Sequence, residues 1–156
     1  MFQVCLNETP VGPLLISGTD LGLVQIRLNC EIAAGLEQCP QHPLAVLSLE
    51  QLRAWFAGRL RQFQLPLTPQ GTDFQRQVWQ ALQQIPWGTT ASYAQIAAAV
   101  GRPRACRAVG LANGRNPLPI IIPCHRVIGS SGQLVGYSGG LHIKRYLLAL
   151  EGYPLP

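Results

Sequence analysis

The stretch LPLTPQG, residues 65–71, divides the 156-residue chain into two segments of different texture, and any fold must accommodate that break. Its two prolines and its glycine interrupt both helix and strand, so the sequence reads as two small units joined by a linker. Before the break, Val11–Ser17 and Leu21–Leu28 read as antiparallel strands joined by a Gly18-Thr19-Asp20 turn, followed by a loop through Cys39 and Pro40. A helix is expected over Pro43–Phe56, turning Leu44, Leu47, Leu52 and Trp55 towards a core and stopping at Gly58. The predicted class is α+β: a small N-terminal antiparallel-sheet domain with a helix, then a mainly helical C-terminal domain containing a helix-turn-helix.

In that second segment, Thr72 or Asp73 can cap a helix presenting Phe74, Val78, Trp79 and Leu82. Ser92 can cap a second, YAQIAAAV, and Pro103 suits the first turn of a third, RACRAVGLAN. Two short helices joined by a glycine-containing turn fit a helix-turn-helix, although many such pairs only pack. Within the third helix the spacing puts Arg104 and Arg107 near one face and Ala108 and Leu111 inward. Charge favours the DNA-binding option. Met1–Asp73 carries a net −2, whereas from Phe74 onward eight basic residues face one acid, Glu151, for a net +7. A segment so short of counter-charges points to a polyanionic partner, with nucleic acid the leading candidate.

Nearly half the residues are apolar, which excludes general disorder, and no apolar run reaches the length of a membrane span. A cytoplasmic protein is therefore expected. The five cysteines are irregularly spaced and odd in number, so no disulfide framework is expected. Cys5, Cys30, Cys39 and His42 could together supply four zinc ligands, but CPQH is the one compact pair among them. Neither zinc nor another cofactor is expected. Cys106 is assigned to helix packing and His142 to the surface of the last helix.

Cys124 is the residue with most chemistry around it, in NPLPIIIPCHRVIGSSGQ. A thiol needs a base or a positive environment to become a nucleophile. His125 and Arg126 follow directly, and Glu151 lies just beyond an expected helix over Leu141–Leu150. Cysteine, histidine and carboxylate form a generalised triad, in which a water could bridge thiol and imidazole. A buried structural cysteine remains the alternative. The isoleucines before it read as a buried, strand-like segment that delivers Cys124 rigidly.

The segment IPCHRVIGSSGQLVGYSGG, with SYAQIA and RACRAVGLANGRNPLP upstream and KRYLLALEG downstream, closely resembles O6-alkylguanine-DNA alkyltransferases. The resemblance is strong over about Phe74–Gly152 and weaker before it. It implies an N-terminal ribonuclease H-like α/β domain over residues 1–70 and a DNA-binding, alkyl-accepting domain over 71–156. Cys124 would accept the alkyl group, His125 would deprotonate it through a water, and Glu151 would orient His125. Asn116 would tie the recognition helix to the active-site loop, and Arg107 would fill the gap left by a flipped nucleotide. Tyr93 would help rotate that nucleotide and offer a proton to the leaving base, and Lys144 would belong to the active-site network. Val127, Tyr137, Ser138 and Gly139 would shape the pocket, and Arg104, Asn113 and Arg115 would join Arg107 against DNA. Asn113 departs from the methionine of some members, which bears on pocket shape.

The implied activity is direct reversal: the alkyl group of O6-alkylguanine, and of O4-alkylthymine, passes from duplex DNA irreversibly to Cys124. One molecule repairs one lesion, reached by nucleotide flipping from the minor groove, and acts as a monomer. A non-catalytic binder of alkylated bases and an alkylation-sensing regulator are the alternatives.

Overall fold

Strand β1 (Phe2–Leu6) opens a three-stranded antiparallel sheet with β2 (Leu14–Thr19) and β3 (Gly22–Leu28), in the order β1-β2-β3. These coordinates are a computed structural model that describes residues 1–155. The chain divides into two compact units, one over Met1–Gln70 and a second beginning at Gly71. In the sheet, Val4 pairs with Ile16 and Ile16 with Ile26, which lines up branched side chains across all three strands. Strand β1 has no counterpart among the sequence expectations.

The hairpin differs from expectation as well. Gly18 and Thr19 belong to β2, and the turn is the two residues Asp20 and Leu21, between the paired Thr19 and Gly22. Gly18 is needed for another reason: a Cβ there would lie 2.8 Å from the Phe2 ring and 2.9 Å from the Gly22 carbonyl. The expected linker is also partly structural. Leu23 N–H donates to the Pro66 carbonyl at 2.9 Å and Thr68 N–H to the Leu23 carbonyl at 2.8 Å, so its first half lies along the edge of β3. That edge is thereby covered.

Helix α1 (Pro43–Phe56) buries Leu44, Ala45, Ser48, Leu52 and Trp55. Leu47 does not join them; it is exposed, because the buried stripe runs through 44, 48, 52 and 55. His42 caps this helix, its Nδ1 accepting from Leu44 N–H at 3.2 Å while its Nε2–H donates to Asp20 at 2.8 Å. Both ring nitrogens are thus engaged. Cys30 directs its thiol to the Arg27 carbonyl, and burial, with Cys30 adding, pushes the Cys5 thiol up. Among the described residues no group of three or more His, Cys, Asp or Glu side chains could hold a metal ion, the set Cys5, Cys30, Cys39 and His42 included.

The second unit starts with α2 (Asp73–Leu82), then β4 (Ala91–Ser92), α3 (Tyr93–Ala99) and α4 (Cys106–Gly114). Thr72 with Gln75, and Ser92 with Gln95, form capping boxes that fix where α2 and α3 begin. Helix α4 begins later than expected. Pro103 and Arg104 lie in the preceding turn, where Ala105 N–H donates to the Arg102 carbonyl, and Val109 N–H to Ala105 O opens the helical bonds. Arg104 is therefore not on the helix. The inward residues of α4 are Val109, Ala112 and Asn113, while Ala108 and Leu111 point outward, as does Cys106. The Trp79 indole N–H anchors α4 to α2 by donating to the Ala112 carbonyl at 2.9 Å.

Beyond α4 the three isoleucines are buried but form no strand. They make a tight turn closed by Ile122 N–H to Leu118 O at 2.8 Å, with Ile120 at φ +75°. Cys124 N–H then donates to Ile122 O at 2.8 Å and a single 3-10 turn follows over Cys124–Arg126. Strand β5 (Val127–Ile128) pairs in parallel with β4, and α5 (Leu141–Leu150) ends at Glu151.

Candidate active site

Cys124 is 3 % exposed, and its position is set from two sides. The Asn116 amide donates to the Ile122 carbonyl at 2.7 Å and its oxygen accepts from Leu118 N–H at 2.9 Å, clamping the turn just before the cysteine. Asn113 on α4 donates to the Cys124 carbonyl at 3.4 Å. Expected against DNA, Asn113 is instead buried, a strut between α4 and the cysteine that also lines the neighbouring cleft.

His125, fully buried, bonds through Nε2 to Glu151 Oε1 at 3.1 Å. Arg126 meets the same carboxylate: its Nε donates to both oxygens at 3.0 and 3.1 Å, an NH2 nitrogen bonds Oε2, and NH1 donates to the Ile85 carbonyl at 2.6 Å. Burial pushes the Glu151 carboxyl up, but the hydrogen bonds and charges of His125 and Arg126 outweigh it and hold the group below its usual range. Burial pushes His125 down, Glu151 opposes this, and the Arg126 and Lys144 charges add to the lowering. A neutral imidazole able to accept a proton results. Arg126 escaped the sequence reading as a site residue; one acid among eight bases was the signal that Glu151 had a buried cationic partner.

Lys144 is fully buried, and its ammonium donates to the carbonyls of Val127 at 2.5 Å, Val135 at 3.2 Å and Gly136 at 3.3 Å. It thus ties the strand after the cysteine to the loop over residues 129–140. Burial lowers its pKa to about 8, with Cys124 acting in the opposite direction. The Tyr93 hydroxyl donates to the same Val135 carbonyl at 3.0 Å. Burial and then the Cys124 sulfur push the Tyr93 and Tyr137 hydroxyls up, Tyr137 well above its ordinary value, so both remain donors at neutral pH. For Cys124 itself burial raises the thiol; Asn116, the Lys144 charge, the backbone amide and Tyr137 each pull it down without cancelling that.

Beside this cluster lies a cleft of about 560 Å³ lined by Tyr93, Arg107, Gly110, Asn113 and Tyr137, among others. Val127 is buried in β5, Gly139 is half-buried, and Ser138, Arg104, Arg107 and Arg115 are exposed. The arrangement can activate a buried thiol beside a cleft whose lining includes Arg107, next to the second helix of a helix-turn-helix.

Comparison with known proteins agrees with that chemistry. Residues 73–153 match the model of the 6-O-methylguanine DNA methyltransferase DNA-binding domain, and residues 5–69 that of its ribonuclease-like domain. A methylated-DNA–protein-cysteine methyltransferase of Methanosarcina barkeri is 50 % identical, over 92 % of this chain and 93 % of its own. One from Mycolicibacterium paratuberculosis is 49 % identical over 97 % and 93 %. A crystal structure of Mycobacterium tuberculosis OGT in complex with DNA has a TM-score of 0.85 at 47 % identity, covering 94 % of this chain and 90 % of that one. With both halves matched and the cysteine, imidazole and carboxylate assembled, this chain belongs to the 6-O-methylguanine DNA methyltransferase family.

Proposed function

We propose that the protein repairs alkylated DNA by direct reversal, moving the alkyl group from O6 of guanine to the Cys124 sulfur. One observation carries the proposal: Cys124 sits one residue before a His125 already bonded to buried Glu151, while its carbonyl is tied to α4. Acceptor, base and DNA-facing helix are one connected piece.

The steps follow from the groups present. O6-alkylation removes the N1 proton of guanine and disturbs its pairing, which lowers the cost of taking the nucleotide out of the stack. Arg107, exposed on α4, fills the space left behind. His125 takes the Cys124 proton through a water, and Lys144 stabilises the thiolate by its charge. The sulfur attacks the alkyl carbon, the C–O6 bond breaks, and the Tyr93 hydroxyl supplies a proton to the departing guanine. A thioether remains. It has no carbonyl for water to attack, so the protein reacts once and needs no cofactor. The same chemistry would serve O4-alkylthymine.

In this proposal the second unit carries DNA binding and chemistry, and the protein works as a cytoplasmic monomer, which size-exclusion chromatography and cell fractionation check. No described helix is long and apolar enough to cross a membrane. Incubation with duplex DNA containing O6-methylguanine, followed by intact mass, tests the reaction. Wild type should gain one methyl group and Cys124→Ala none; an unchanged wild-type mass with DNA still bound would favour a non-catalytic binder.

A further inference from the structure

Among the exposed residues of α4, Cys106, Ala108 and Gly114 are short, and two side chains project: Arg107 and Leu111. Leu111 is 60 % exposed. Four residues apart, the two share a face and lie about 6 Å apart along the helix axis. Both border the cleft described above. Leu111 is also held firmly, because its neighbours Ala112 and Asn113 are pinned by Trp79 and by the Cys124 carbonyl. A lone exposed leucine is ordinary on most surfaces. Here it stands on a slim helix flanked by exposed Arg104 and Arg115, a face whose charge suits a polyanion.

We propose that Leu111 is an apolar wedge that enters the DNA groove one helical turn from Arg107 and packs against the sugar walls and base step beside the extruded nucleotide. This rests on the repair reading above. Minor-groove proteins use such wedges to hold a distorted step open, and an arginine alone, being strongly drawn to phosphates and water, does so less well. Leu111 and Arg107 then divide the work: one keeps the gap dry, the other fills it.

The test compares methyl transfer from duplex DNA with transfer from free O6-methylguanine base, which has no stack to open, both followed by intact mass. Leu111→Ala and Leu111→Gln should slow the duplex reaction about tenfold, several times more than the free-base reaction, with the melting temperature unchanged. Leu111→Met, which keeps an apolar side chain of similar length, should repair duplex DNA near the wild-type rate. A duplex rate unchanged in Leu111→Ala or Leu111→Gln overturns the wedge, and so do equal losses on duplex and free base. A wild-type protein that takes up no methyl from either substrate removes the repair reading itself, and the wedge with it.

Discussion

Glu151 serves two partners with one carboxylate, and each partner depends on the other's presence. His125 needs the carboxylate to fix its ring, while Arg126, 6 % exposed, needs it as a counter-charge. Glu151→Gln would leave a buried guanidinium without its anion, at a cost of about 3–5 kcal/mol. Because the folded carboxyl titrates below its unfolded value, its stabilisation is complete above the unfolded pKa and is lost as pH falls through the folded one. Thermal melts from neutral to acid pH should therefore show the wild-type advantage over Glu151→Gln shrinking in acid. A constant gap across that range would mean that the charge is not what matters. Lys144 acts on the thiol instead. Lys144→Met removes a cation that lowers the Cys124 pKa, so methyl transfer near neutral pH should fall about tenfold and its rise with pH should move to higher pH. In wild type the same rise should flatten above about 8, where Lys144 loses its charge.

At the level of elements, the turn before Cys124 replaces the strand that its isoleucines suggested. A strand needs a partner, and the one bridge available is Pro119 to Ile122. Asn116 supplies what a ladder would have: a donor for Ile122 O and an acceptor for Leu118 N–H. Asn116→Ala orphans the buried Leu118 N–H, at about 1–3 kcal/mol, and takes from Ile122 O one of its two donors, the other being Cys124 N–H; Asn116→Asp should be worse because it aims a carboxylate at a carbonyl. Urea unfolding should rank wild type above Ala above Asp, with Cys124 alkylation slowing in the same order. Features written locally were legible: the Thr72 and Ser92 caps lie within three residues of their partners. So was the pairing of His125 with Glu151 beside Cys124, since Cys124 and His125 are adjacent and Glu151 is the acid of that half. What depended on distant packing was not. Leu111 and Ala108 point outward because Trp79 holds the opposite side of α4 through Ala112, 33 residues from it, and no spacing within the helix carries that information. The bond from Arg126 to Glu151 spans 25 residues and was not legible for the same reason.

For the whole molecule, the +7 of the second segment overstates what DNA can meet. Arg126 and Lys144 are buried, and Arg76 pairs with Asp73 at 2.6 Å. Among the described residues of that segment this leaves Arg102, Arg104, Arg107, Arg115 and Arg145 exposed and without a carboxylate partner. Arg102 is partly occupied, its guanidinium 5.4 Å above the Phe74 ring. About five phosphate contacts from that segment follow, so where it alone meets the duplex, log K should fall against log salt with a slope no steeper than about −4.5. Arg104→Ala and Arg115→Ala should each make that slope shallower by about one unit, whatever the DNA sequence. Arg107→Ala should behave differently, because a side chain that fills a vacated stack acts on the opened duplex more than on the phosphates. It should slow duplex repair far more than it changes the salt slope, and leave reaction with the free base intact. If instead Arg107→Ala lowers the slope like the other two and repairs duplex DNA at the wild-type rate once saturated, Arg107 is one more phosphate contact.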